Sequence, residues 1–131
     1  MKVRELMTKQ PTTVKPDATL GEVATLMKQS DCGSIPVVEG GRLVGIVTDR
    51  DIVVRGIAAG VDPKTQRVSK VMSSDPVTVG PDDEILKAAT VMIEKNIRRL
   101  PVVDGDLFVG TVSRADVCWG LMSKGSEWVQ A

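Results

Sequence analysis

Ile35-Pro36-Val37-Val38-Glu39-Gly40-Gly41-Arg42-Leu43-Val44-Gly45-Ile46-Val47-Thr48-Asp49-Arg50-Asp51 returns later in the chain as Leu100-Pro101-Val102-Val103-Asp104-Gly105-Asp106-Leu107-Phe108-Val109-Gly110-Thr111-Val112-Ser113-Arg114-Ala115-Asp116. The offset is 65 residues, from Ile35 to Leu100 and again from Asp51 to Asp116. Extending it without a gap over Val3–Val53 and Val68–Cys118 leaves eighteen of fifty-one positions identical, among them Met7/Met72, Pro11/Pro76, Pro16/Pro81, Asp17/Asp82, Met27/Met92 and Gly45/Gly110. One small unit is therefore written twice. A unit of about sixty residues buries only ~60% of its surface alone, so two copies are expected to pack on each other and to place any functional cleft between them.

Each copy reads in the same order. Val3 to Met7 is a short helical turn, and Thr12-Thr13-Val14 an extended piece stopped by Pro16-Asp17. Thr19 and Glu22 then match a capping box, with Leu20, Val23, Ala24 and Met27 at helical spacing as one buried stripe. Ser34 to Glu39 and Leu43 to Thr48 are β-branched runs around Gly40-Gly41, which predicts a hairpin. A second helix from Asp49 to Ala59 presents Ile52, Val53 and Ile57 as its apolar side. The second copy predicts an extended Val77 to Val79, a helix from Glu84 to Lys95 with Ile85, Ala88, Ala89 and Met92 inward, strands at Leu100 to Val103 and Phe108 to Ser113, and a helix from Arg114 to about Met122. The organisation is a first domain at 1–60, a connector at 61–67 too short and polar for a flexible tether, a second domain at 68–122, and a tail at 123–131 whose Trp128 docks on the body or on a second subunit.

Composition narrows the function. Apolar residues make up 42% of the 131, enough for a core built from Val, Ile, Leu, Met and Ala. One Phe, two Trp and no Tyr leave no aromatic platform for single-stranded bases, and 17 Lys plus Arg against 17 Asp plus Glu leave no basic field for nucleic acid or anionic lipid. No run approaches the roughly twenty apolar residues of a membrane span, and Met1 to Met7 is too charged for a signal peptide, so the expected address is cytoplasmic. Cys32 and Cys118 form no C-x-x-C and fit reduced thiols in a buried setting. Histidine is absent, which removes the usual general base and the commonest metal ligand. With no glycine-rich phosphate loop and no G-x-S-x-G either, neither catalysis nor a metal is expected.

A β-α-β-β-α unit occurring twice, with Pro-Val-Val before a turn and then G-h-[TS]-x-x-D, resembles the cystathionine β-synthase (CBS) domain. The resemblance covers nearly the whole chain and implies a mixed α/β (α+β) fold of two tandem repeats packed about a pseudo-twofold axis, often called a Bateman module. It further implies a regulatory module binding adenosine-containing ligands, AMP, ADP, ATP or S-adenosylmethionine, in clefts between the domains. No attached enzyme or channel is evident in this sequence, so a stand-alone sensor with an unidentified effector protein is expected. Such modules commonly pair face to face through their helices, which makes a homodimer the expected assembly. The helices here are those around Leu20 to Lys28, Asp51 to Ala59, Ile85 to Glu94 and Asp116 to Met122.

The candidate binding residues fall into two sets, Thr13, Val14, Ser34, Ile35, Pro36, Thr48, Arg50 and Asp51 in the first copy, and Thr78, Val79, Arg98, Arg99, Leu100, Pro101, Ser113, Arg114 and Asp116 in the second. Asp51 and Asp116 each follow a hydroxyl residue by three positions at a strand-to-helix junction, where a carboxylate can accept from both ribose hydroxyls. Thr48 and Ser113 stand where free backbone N–H groups favour an anion. Arginines supply phosphate partners, Arg99 foremost by resemblance. Val14, Ile35 and Pro36, or Val79, Leu100 and Pro101, wall the adenine, and backbone near Thr13 and Thr78 reads its edge. Gly33-Ser34 stands where the second copy has Arg98-Arg99, so unequal affinities are expected, the second site taking phosphate better. Two plainer readings stand beside these: an Asp in a first helical turn caps free N–H groups with no ligand, and exposed arginines serve solubility alone. The corresponding function is a dimerisation or protein-interaction module with unoccupied clefts.

Overall fold

A computed structural model of the chain describes residues 1–130, and side-chain surroundings through residue 123. The chain divides into two compact units that do not coincide with the two sequence copies. The first unit is Thr12–Pro76, and the second joins Met1–Pro11 to the chain from Val77 onward. Family of elements and order are the same in both.

In the first unit, helix α1 (Leu20–Ser30) precedes strands β1 (Ser34–Glu39) and β2 (Arg42–Thr48), followed by helix α2, which is α-helical over Asp49–Asp51, π-helical over Ile52–Gly56 and 3-10 over Ile57–Ala59. In the second, α3 (Ile85–Lys95) precedes β3 (Arg99–Asp104), β4 (Leu107–Ser113) and α4 (Arg114–Gln130). Helix α4 thus runs past Met122 through the stretch read as a tail, and the docking of Trp128 lies outside the described side chains. Each hairpin is antiparallel and pairs Ser34 with Thr48 or Arg99 with Ser113, with one bulge at Val37/Val38 and at Val102/Val103. Gly40 and Gly41 close the first turn at φ +59° and +78°, the left-handed pair that a two-residue hairpin with matching twist requires.

Both hairpins gain a neighbour on each side. Val14 bridges Val37 and Val79 bridges Val102 in parallel, and on the other edge Ser73 bridges Ile46 while Thr8 bridges Thr111. The edge partners come from the segment leading into the other copy. Ser73 and Ile46 exchange hydrogen bonds of 2.8 and 3.0 Å, and Thr8 and Thr111 exchange bonds of 2.8 and 3.1 Å. Behind these edges Val68 and Val71 enter the first core, and Val3 the second. Each such side chain contributes roughly 1.5–3 kcal/mol when fully buried, so the lead-ins are structural parts of the units they reach.

The helices bury narrower stripes than their patterns predict. In α1, Leu20, Val23 and Met27 are buried but Ala24 is exposed, and in α3 Ile85, Ala88 and Met92 are buried with Ala89 half-buried. Helix α2 departs furthest: Ile52 is buried, whereas Val53 and Ile57 are 57% and 52% exposed. Across the π turn it is Ile52 and Gly56 that face the core, and Gly56 lies so near Leu20 that a Cβ would stand 2.9 Å from its Cδ1. The expectation of buried thiols also fails, for Cys118 is exposed and Cys32 half-buried, both free.

Helix starts are secured differently in the two copies. Thr19 accepts from the Glu22 amide at 3.2 Å, and connector carbonyls take the next free donors, Gln66 from Leu20 at 3.0 Å and Pro63 from Gly21 at 2.9 Å. Before α3, Asp83 accepts from the Gly80 amide at 2.7 Å and pairs with Lys87 at 3.3 Å. The Gly80 bond foremost, against the opposing effect of burial, with Lys87 adding to it, holds the Asp83 carboxyl below its ordinary 3.8. A depressed carboxyl pKa stabilises the fold above its unfolded value and loses that contribution as pH falls through the folded value. Asp83→Asn is therefore expected to cost about 1 kcal/mol at neutral pH, and urea titrations of the two proteins should converge as the pH falls below the carboxyl's ordinary 3.8 and through its lowered folded value. A gap that stays constant down to acid pH would rule out this role.

Candidate functional site

Each predicted set of binding residues lies wholly within one unit, the first within Thr12–Pro76 and the second within the part beginning at Val77. In the first unit, β2 ends at Thr48, and the Asp49 amide donates to the Gly33 carbonyl at 2.9 Å, which holds the chain against the start of β1 as it turns into α2. A reciprocal box closes that turn: the Thr48 amide donates to Asp51 Oδ2 at 2.9 Å, and the Asp51 amide donates to Thr48 Oγ1 at 3.1 Å. The second unit repeats it, with the Ser113 amide 3.0 Å from Asp116 Oδ2 and the Asp116 amide 3.1 Å from Ser113 Oγ. The capping reading of hydroxyl-x-x-Asp is thus realised in both copies, through one carboxylate oxygen each. The other oxygen, Oδ1, takes no part in either box.

At that oxygen the units differ. Asp51 Oδ1 lies 3.9 Å from Arg55 Nε, in a side chain that is only 14% exposed. Arg55 stands one turn along α2 and also reaches the Val71 carbonyl at 3.4 Å and Ser73 Oγ at 3.5 Å. At the equivalent place in α4 the residue is Gly120, buried so tightly that a Cβ would lie 2.7 Å from Leu6 Cδ1, and Asp116 Oδ1 has no bonding partner among the described residues. Nothing in the motif spacing singled out Arg55; its signal was the four-residue step from Asp51 on a predicted helix.

Charge differs as well. Around the first box stand Asp49, Arg50, Asp51 and Arg55, two cations to two anions, with Gly33 and Ser34 opposite. Asp49 folds over Gly33, where a Cβ would meet its carboxylate at 2.9 Å. Around the second stand Arg98, Arg99, Arg114 and Asp116, three cations to one anion. The Arg114 amide donates to the Arg98 carbonyl at 2.8 Å, and Arg114 Nη2 donates to the Ile97 carbonyl at 3.3 Å, so the cations gather at one strand start.

The proposed base walls are mostly core. Ile35 and Leu100 have no accessible surface, Val14 and Val79 retain 7% and 3%, and Pro36 and Pro101 are buried. These side chains fix the strands more than they offer a face. Val14 and Val79 carry the bonds to Pro36, Val38, Pro101 and Val103, which leaves the backbone of exposed Thr13 and Thr78 outside that ladder among the described residues. A separate concavity of about 490 Å³ lies at the turn end of the first hairpin, lined by Lys15, Asp17, Glu39 and Arg67 among others, and includes no predicted site residue. Among the described residues no three His, Cys, Asp or Glu side chains are grouped as a metal site, and no helix is long and apolar enough to cross a membrane.

Comparison with known proteins agrees with the repeat. The family model for the CBS domain matches twice, over residues 3–56 and 68–122. The CBS domain-containing protein YhcV of Bacillus subtilis (strain 168) is 45% identical over 124 residues, covering 95% of this chain and 88% of YhcV. Among solved structures, Hypoxic Response Protein I with two coordinated zinc ions superposes with a TM-score of 0.83 at 34% identity, covering 90% of this chain and 97% of that one. CBSX2 in complex with AMP superposes with a TM-score of 0.83 over 95% of this chain and 98% of CBSX2, at 24% identity, a likeness of fold.

Proposed function

The chain belongs to the CBS-domain family, and from that premise we propose that it is a non-catalytic regulatory module whose units bind an adenosine-containing ligand, AMP, ADP, ATP or S-adenosylmethionine. The observation that carries this reading is the hydroxyl–aspartate box recurring at the same strand-to-helix turn in both units, each engaging Oδ2 and leaving Oδ1 outside the box. Asp116 and Asp51 take the ribose diol, and Arg98, Arg99 and Arg114 favour a ligand with phosphates in the second unit.

Native mass spectrometry of the purified protein with added AMP, ADP, ATP and S-adenosylmethionine tests this. Uptake in simple stoichiometry, with the phosphate-bearing ligands preferred, is the expected result. A protein that ignores all four ligands would overturn it.

A second reading, an interaction module, is favoured by one observation: Val53, Ile57, Leu86, Ile93, Trp119 and Met122 are all at least half exposed on helices. Apolar side chains exposed on the helices of each unit fit a homodimer joined through helices, which is proposed in either case. Light scattering should give twice the 14.0 kDa chain mass. If Trp119→Glu remains dimeric, these helices are not the interface.

A further inference from the structure

We propose that Arg55 is a built-in competitor for the ribose-binding carboxylate of the first unit, so that this unit is held in a low-affinity form and the second unit fills first. The inference rests on the nucleotide reading above. Asp51 and Asp116 spend Oδ2 on matching boxes, with bonds of 2.9 and 3.0 Å, so their remaining capacity is set by what faces Oδ1. In the first unit that is the Arg55 guanidinium, 3.9 Å away. Its Nη1 also reaches the Val71 carbonyl at 3.4 Å and Ser73 Oγ at 3.5 Å, on the lead-in that closes this unit. A diol approaching Asp51 must displace or share this cation, whereas in the second unit the equivalent residue is Gly120, which carries no side chain to face Asp116. Asp49 acts in the same direction, placing a carboxylate where the second unit has Arg114.

Arg55 is half exposed, with its side chain 53% accessible, so its replacement should leave the fold intact. The test is calorimetric titration with AMP of Asp116→Ala, in which only the first unit binds, and of the same protein carrying Arg55→Gln. Arg55→Gln is expected to tighten AMP about fivefold, the weight of a partly exposed ion pair. The same gain should be missing with 2′,3′-dideoxy-AMP, because the released oxygen acts through the diol, and a merely structural effect would not separate the two ligands. Arg55→Lys, which keeps the charge and loses the planar fork, is the second variant and should give a smaller gain. Unchanged or weaker AMP binding by both variants would overturn the proposal, weaker binding assigning Arg55 to the ligand's phosphate instead. Failure of the nucleotide reading is a different result: no AMP bound by the unsubstituted protein at either unit.

Discussion

Asp116→Ala is expected to remove most of the rise in melting temperature that AMP confers on this protein. A ligand present at about 100 times its Kd stabilises the form that binds it by about 2.7 kcal/mol, which at this chain length is a shift of roughly 8 °C or more. Asp116 makes the larger contribution because its Oδ1 has no partner among the described residues, while that of Asp51 faces Arg55. The substitution also opens the Ser113 box, so the unliganded protein should itself melt lower, by about 1 kcal/mol of cap. Ser113→Ala separates the two effects. It deletes the bond from the Asp116 amide to Ser113 Oγ yet leaves the carboxylate, and should lower the basal melting temperature while keeping most of the AMP shift. If Asp116→Ala shifts with AMP as the unsubstituted protein does, the aspartate is a cap alone.

What could be read from the sequence, and what could not, follows from the physics of each element. The hairpins were legible because β-branched runs flank turn residues that leave the chain little choice, and their bounds agree with Ser34–Glu39 and Arg42–Thr48 to within a residue. The exchange of lead-ins was not legible. Val3, Met7 and Pro11 match Val68, Met72 and Pro76, so either segment suits either hairpin chemically, and only the traced chain tells which edge it takes. The outward turn of Val53 and Ile57 escaped because Ile52/Gly56 and Val53/Ile57 are both pairs four residues apart on one helix, and spacing alone does not say which pair faces the core. At the site, hydroxyl-x-x-Asp was visible as spacing and proved to be a box in both copies. The inequality of the two carboxylates was not visible, because it depends on an arginine and a glycine at equivalent positions outside the motif, Arg55 and Gly120.

Gly110→Ala is expected to be the most damaging single methyl group in the second unit. The glycine that opens G-h-[TS]-x-x-D has no positive φ to explain it, so its requirement is one of space. A Cβ at Gly110 would lie 2.5 Å from the Thr8 carbonyl oxygen and 3.4 Å from Met7 Sδ. The oxygen is backbone and cannot swing aside as a side chain does. It is also the acceptor of the Thr111 amide at 3.1 Å, so relief of the clash requires the whole lead-in to leave the β4 edge, with both of its exchanged bonds. Val3, fully buried behind that edge, would be loosened with it. Overpacking against fixed backbone, two lost edge bonds and partial exposure of one valine together suggest about 3 kcal/mol or more, a large part of the stability of an ordinary domain. The corresponding Gly45→Ala meets Met72 Sδ at 2.6 Å and the Ser73 carbonyl oxygen at 2.9 Å, the first a flexible thioether and the second less close than Thr8. It should cost less, about 2 kcal/mol. Urea unfolding checks both values, and amide exchange at Thr8 and Thr111 shows whether the lead-in has detached. Were Gly110→Ala to unfold within about 0.5 kcal/mol of the parent with Thr8 still protected, the edge would be more yielding than its bonds imply, and the glycine would have to be explained by the ligand instead.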